Sequence, residues 1–361
     1  MKREFLQLAH VLEPKHDISG WFISEKLDGT RCFWDGGISR GVETIDVPWA
    51  SVLDPKTNKR KAKIKPVATG LWSRYGNPIM APDWFLNALP ACLLDGELWA
   101  GRGKFQLCRS ICGGDTPDPR FDQICYVVYS APRLEDIFSF GQIKNANMLC
   151  TIDERCVEFV TQMLRDFEGD FIFSNAHTFK GEVEFLARVF ESQHKFCRPL
   201  EQEKLPSDRG QAHVRIGEFL DSVVEQGGEG VVLRDPLARW TPKRHNGILK
   251  WKPYKDAEGT ITGFTSGRET NKGSRLLGKI GALIVDYKGK RLELAGLTDE
   301  EREFANPAMC DWAIDNPGID VPYWVEGKHF LRGQIVTFIY RELSDSGIPK
   351  EARYLRRRDA E

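Results

Sequence analysis

The chain has no excess of either charge. Its 51 Lys and Arg residues face 52 Asp and Glu, a formal net charge of -1. A histone-like polycation is thereby excluded, but not a nucleic-acid surface, which needs only a local basic stripe. No apolar run is long enough to cross a bilayer, and the opening MKREFLQLAHVLEPKHD lacks the apolar stretch of a signal peptide. A cytoplasmic protein without membrane contact is expected. The nine cysteines form no C-x-x-C pair, so zinc-ribbon and thioredoxin-type motifs are unsupported, and scattered thiols suit a reducing compartment. Also missing are G-x-x-x-x-G-K-[ST], H-E-x-x-H and G-x-S-x-G, and the seven histidines show no ligand spacing. These absences remove the P-loop cradle, the zincin helix and the hydrolase elbow.

What is present is an ordinary core-forming composition, 41% hydrophobic and 11% aromatic over 361 residues, enough for one large domain or two modest ones. Trp21–Ser24 reads as a strand, and Thr30–Trp34 with Ile38–Arg40 as a hairpin about Asp35-Gly36-Gly37. Residues 41–70, which hold KTNKRKAKIK, break the pattern and read as a surface insertion. ACLLDGELWA (91–100) and QICYVVYSA (123–131) read as buried strands. Helical spacing follows over 151–226, in Ile152, Cys156, Val160, Met163 and Phe167, then EVEFLARVFESQ and GEFLDSVVEQ. GEGVVLRD and GILKWKP return to strand. Beyond a boundary at Tyr254–Gly259, ITGFTSG, IGALIVDY, KRLELAGL, GQIVTFIY and ARYLRR are five short strands, the size of an OB-fold.

The chemistry centres on Lys26 in E-K-L-D-G-T-R, at a strand end, with Arg31 five residues on. A lysine becomes a nucleophile once neighbouring cations or burial lower its pKa. Asp95 and Glu97 lie inside the apolar strand LLDGELW, where a carboxylate needs a cation or metal. Glu229 heads another apolar strand, and Lys250 and Lys252 alternate onto one face. Three lysines, an arginine and two or three acids at strand positions fit phosphoryl or nucleotidyl transfer, with acids holding Mg²⁺ and cations neutralising phosphate. Taken singly, each acid is more often a salt-bridge partner.

In this order the motifs resemble those of the covalent nucleotidyltransferases, specifically ATP-dependent DNA ligases of the small bacterial and phage type. The matching segments are Lys26-Leu27-Asp28-Gly29-Thr30-Arg31, Ser73-Arg74-Tyr75-Gly76, Asp95-Gly96-Glu97, Tyr126-Val127-Val128-Tyr129, Glu229 to Arg234 and Leu249 to Lys252. The resemblance implies an α+β fold. A nucleotidyltransferase domain of antiparallel sheets with flanking helices would occupy 1–255, and an OB-fold β-barrel 256–361. It implies ATP and Mg²⁺ as cofactors, a Lys26–AMP intermediate, nicked double-stranded DNA as partner, and a monomer. Lys26, Asp28, Arg31, Glu97, Glu229, Lys250 and Lys252 would be catalytic. Ser24, Glu25 and Tyr129 would join them around the nucleotide, with Tyr129 stacked on adenine. Asp28, Glu97 and Glu229 would hold metal.

Charge adds DNA contacts at Arg40, Lys59, Arg60, Lys61, Lys63, Arg74, Arg268, Lys272 and Arg275, gripping phosphates without reading bases. Three departures stand out. Ser130 follows the aromatic where relatives often carry Asp. Ser24 stands where an acid is common, with Glu25 beside the lysine. The last motif, R-x-D-K, survives only as Arg357-Arg358-Asp359-Ala360. Two other readings stay open at this point: an RNA ligase or mRNA-capping enzyme of the same superfamily, and an inactive OB-fold nucleic-acid-binding protein.

Overall fold

The computed structural model describes residues 6–53, 59–138, 154–165, 167–191, 194–269, 273, 275–344 and 346–357. The chain divides into two compact units, 1–251 and 252–361.

The first unit holds two five-stranded sheets. One has the order β1 (Leu8–Val11), β10 (Arg244–Trp251), β9 (Val231–Arg234), β2 (Phe22–Glu25), β8 (Glu203–Lys204). The other runs β4 (Leu71–Ser73), β3 (Thr30–Asp35), β5 (Leu93–Trp99), β6 (Cys125–Ser130), β7 (Cys197–Pro199). The expectation of antiparallel sheets needs one correction. The β1–β10 and β6–β7 pairs are parallel, which is possible because neither is a hairpin. The other correction concerns Ile38–Arg40, which form turn instead of a hairpin strand. Gly36 and Gly37 do turn the chain, at φ 78° and 88°. The excursion then closes only at Gly70, whose carbonyl accepts from Asp35 N–H at 3.0 Å, and β4 becomes the partner of β3.

Alternation decides which face meets what. In the first sheet Ile23, Val231, Leu233 and Leu249 pack with Ala212, Ile216, Leu220 and Val223, which recur at helical spacing along α6 (Arg209–Glu225). The side chains between them, Ser24, Val232, Arg234 and Lys250, belong to the opposite face. In the second sheet Cys32, Trp34, Leu94, Leu98, Tyr126 and Val128 pack with residues of α2 (Phe105–Cys112) and α5 (Phe179–Val189). Arg31, Phe33, Asp95 and Glu97 take the other face. Among the described residues the remaining α-helices of this unit are α1 (Asp83–Leu86), α3 (Leu134–Ile137) and α4 (Glu154–Arg165). Two helices start earlier than their periodicity shows, because caps set their ends. Thr178 accepts from Gly181 N–H, and Asp208 from Gln211 N–H.

The second unit forms one sheet in the order β13 (Lys290–Leu294), β12 (Ile280–Tyr287), β11 (Lys255–Ser266), β14 (Ile335–Tyr340), β17 (Arg353–Arg357). It adds α7 (Ala308–Asp315) and a small pair, β15 (Glu342–Leu343) and β16 (Pro349–Lys350). All five strands expected from sequence are present. Among the described residues a single parallel bridge, Ala295 to Arg353, joins the sheet's two edges, so the expected barrel is not closed by a ladder.

Candidate active site

Lys26 lies where the chain leaves β2 of one sheet for β3 of the other. Its N–H donates to Gly230 O at 2.8 Å, which fixes this turn against the segment leading into β9. Its ammonium donates to the Glu229 carboxylate. The glycines around it are there for space. A Cβ on Gly29 would sit 2.3 Å from Leu98 O and 2.8 Å from Glu97 Cγ, and one on Gly96 2.5 Å from Val127 O. The K-x-D-G turn therefore presses directly on the D-G-E strand.

Behind Lys26 lies a buried charged layer. Arg31 forms two parallel hydrogen bonds to Asp95, at 2.8 and 2.7 Å, a fork geometry that gives both energy and orientation. Trp240 Nε1–H donates to the same carboxylate at 3.0 Å, and Asp95 is fully buried. Burial works against the charge on Arg31, but Asp95 outweighs it and holds the guanidinium above its usual range. Arg31 and Arg234 both lie 4.7 Å from the Tyr129 ring centroid. Arg234 also donates to Ser24 Oγ at 3.1 Å. Burial pulls its pKa down to about 10. Glu97 stands opposite Arg31 in the β3–β5 register. Desolvation pushes its carboxyl up to about 7, against the pull of Lys26 and Arg31.

Several residues expected around the nucleotide are in contact with other side chains. Tyr129, expected to offer a face to adenine, is only 6% exposed, and two guanidiniums pack on its ring. Alternation puts Tyr129 on the face of Val127, opposite Tyr126 and Val128, and it is the guanidiniums of Arg31 and Arg234 that cover its ring there. Glu25 is clamped by Arg102 through two 2.8 Å hydrogen bonds, and Ser24 is buried against Arg234. Among the described residues, no three acids, histidines or cysteines gather as a ready metal cage. Glu229 is instead engaged by Lys26. Lys250 pairs across the sheet with Val232, itself opposite Ser24. Lys252 opens the second unit.

The basic residues divide by burial. Lys61 turns inward, donating to Ser51 O, Ser51 Oγ and Asn77 Oδ1 at 2.6, 2.7 and 2.8 Å. Lys65 donates to Pro78 O at 2.9 Å. Both staple the insertion to the segment after the S-R-x-G turn. Lys63, between them, has a 94% exposed side chain. Arg40 is held by Asp83 and Asn87 at 2.6 and 2.5 Å. Arg74 packs on Tyr75 and donates to its hydroxyl at 2.6 Å. Lys59, Arg60, Arg268 and Arg275 are exposed, the last paired with Asp299 at 3.2 Å. Lys272, with Arg358, Asp359 and Ala360, lies outside the described residues.

Sequence reasoning missed three residues here, and it gave Arg234 only as the end of the E-G-V-V-L-R segment. Arg102 was signalled only by its flanking glycines, at φ 109° and 69°. Glu182, on α5, hydrogen-bonds Ser130 and accepts from Ala131 N–H at 3.1 Å. A carboxylate from another element thus meets the serine that stands where relatives often carry Asp. Burial pushes Glu182 up to about 8. Gln202 had no local signal. Both carboxamide atoms of Gln202 are buried without a hydrogen-bond partner.

Comparison with known proteins agrees with this architecture. Residues 273–358 match the DNA ligase OB-like domain. A DNA ligase of Haemophilus influenzae (strain Rd) is 23% identical over 352 residues, 97% of this chain and 91% of its own length. A solved structure from a structure-function analysis of Lig E DNA ligases aligns at TM-score 0.59 and 22% identity, over 98% of both chains. The structure named Pmar-Lig_Pre aligns at TM-score 0.58 and 19% identity, over 99% of this chain and 68% of that one. In sequence and in fold, the chain resembles the small DNA ligases of bacteria.

Proposed function

We propose that this protein is an ATP- and Mg²⁺-dependent DNA ligase that seals 5′-phosphate/3′-hydroxyl nicks in duplex DNA through a lysyl-AMP intermediate. In this reading residues 1–255 are the nucleotidyltransferase domain and 256–361 the OB domain. The observation that carries it is Lys26, at the crossing between two sheets, with its ammonium on Glu229 and the Arg31–Asp95 pair behind it. Similarity over nearly the whole length of a DNA ligase supports the choice of substrate.

The chemistry follows from these contacts. An ammonium has no lone pair, so Lys26 must lose a proton before it attacks, and Glu229 is the acceptor in contact with it. Nζ then bonds to the α-phosphorus of ATP as the bond to pyrophosphate breaks. The adenylate passes to the 5′-phosphate of the nick, and the 3′-hydroxyl displaces AMP. Arg31, held rigid by Asp95, and Lys250, on β10, supply cationic charge to the phosphates. Lys252 takes the same role on the strength of its motif alone.

Asp28 and Glu97 would hold Mg²⁺. The desolvated Glu97 carboxyl, raised further by Asp95 and Asp28, is stabilised by any cation brought to it. Mg²⁺ commonly binds one or two carboxylates plus substrate phosphates rather than an all-protein cage. When bound, it would neutralise triphosphate charge. Lys59, Arg60, Lys63, Arg74, Arg268 and Arg275, exposed as they are, would grip DNA phosphates.

Intact-mass spectrometry with ATP and Mg²⁺ tests the reading. The expected result is an acid-labile adduct of adenylate mass on Lys26, lost in Lys26→Ala, together with sealing of a nicked duplex by wild type only. Labelling from GTP alone, or an adduct on another side chain, would overturn it.

A further inference from the structure

The Gln202 carboxamide is an anomaly on a half-buried residue just before β8. Its nitrogen and oxygen are both buried, and neither has a hydrogen-bond partner. Each such orphan carries a desolvation cost that a structural role would not explain. A leucine of similar size would fill the space without that cost. A donor and an acceptor left unmet side by side fit a ligand that presents an acceptor and a donor in the same spacing.

Strand pairing shows where the carboxamide belongs. β2 and β8 pair antiparallel, Phe22 with Lys204 and Ile23 with Glu203. Extending that register by one residue sets Gln202 opposite Ser24, two residues before Lys26. Ser24 and Gln202 then share the face that carries Val232 and Arg234, the face turned away from α6. Leu200, two residues before Gln202, packs with Leu27, Val127 and Tyr129 beside the Lys26 turn. The two residues nearest Lys26 that could read a base are otherwise engaged. Ser24 accepts from Arg234, and Glu25 is taken by Arg102.

We infer that Gln202 is a base-reading residue. Its carboxamide would receive the amino edge of the adenine ring when ATP occupies the site, accepting from the exocyclic amine and donating to an adjacent ring nitrogen. This inference rests on the ligase reading above, since it needs a purine nucleotide near Lys26. A carboxamide and adenine make a two-bond pair of this kind wherever both are desolvated. The Gln202 side chain contributes affinity and touches none of the reacting atoms, so it acts on nucleotide binding rather than on the chemical step.

The test is the rate of Lys26 adenylylation as a function of nucleotide concentration, for wild type, Gln202→Leu and Gln202→Met. Two nucleotides are used: ATP, and purine riboside triphosphate, which lacks the amine. In wild type, loss of the amine should raise KM about 10- to 100-fold, the loss expected for unmet buried hydrogen bonds. Both variants should show a similar increase in KM for ATP, with kcat within a few-fold of wild type. They should show no further penalty for the amine-free analogue. Melting temperatures at or above wild type would show that the variants fold and that the orphaned amide had been a cost. Unchanged KM for ATP in folded variants would overturn the inference, as would an undiminished preference for ATP over the analogue. If wild type forms no adduct from ATP at all, the ligase reading itself fails, which is a separate result.

Discussion

The Arg31–Asp95 pair makes a prediction whose sign is counterintuitive. Asp95 is fully buried, bound twice by Arg31 at 2.8 and 2.7 Å and once by Trp240 at 3.0 Å. Asp95→Ala removes the counter-charge of a guanidinium that already shares the Tyr129 ring with Arg234. An uncompensated buried charge costs about 3–5 kcal/mol. For a unit of this size that lowers Tm by about 6–20 °C. Arg31→Met/Asp95→Leu removes both charges and leaves mainly the Trp240 indole N–H without its acceptor, about 1–3 kcal/mol. The double variant should therefore be more stable than Asp95→Ala alone. Urea denaturation followed by tryptophan fluorescence measures both, the chain having ten tryptophans. If the double variant is as unstable as Asp95→Ala, or less stable, the layer is not an ion pair balanced against burial and the reasoning is wrong.

Three other outcomes are expected. Glu182 has its carboxyl raised to about 8, so the folded state holds a proton that the unfolded chain releases near pH 4–5. Its contribution is complete below that range and is lost as pH rises through about 8. Glu182→Gln should match wild type in melting temperature at pH 5 and exceed it at pH 9, and parallel curves would refute the assignment. Gly29→Ala sets a methyl 2.3 Å from a backbone carbonyl; it should cost about 1–3 kcal/mol and slow adduct formation, read by thermal melting and mass spectrometry. Lys61→Met should lower stability by about 1–3 kcal/mol, through its three lost hydrogen bonds, without changing the salt dependence of DNA binding. Lys63→Ala should do the reverse, reducing the log–log salt slope by about one unit, as measured by fluorescence anisotropy on a nicked duplex.

The longer strands, the helices α4, α5 and α6, and the letters of the K-x-D-G turn were readable in the amino-acid order itself. Each is a local pattern: alternation in LKWK, helical spacing in α6, and K-x-D-G before a strand. Even the glycines of that turn and of D-G-E were visible as letters, although their reason, the contact of one turn with the other strand, was not. Tertiary structure alone decided which charges face each other. Lys61 and Lys63 look alike in KRKAKIK, yet one is tied down by Ser51 and Asn77 and the other extends outward. Tyr129 matched a stacking motif, and its ring lies beneath Arg31 from β3 and Arg234 from the other sheet. Glu182 and Gln202 had no motif, and the motif that ends at Arg234 did not show its partners Ser24 and Tyr129, which come from segments far apart in the chain. Local sequence sets backbone geometry and the face of each residue. Burial and pairing depend on what packs from elsewhere, and so they become visible only once the sheets are assembled.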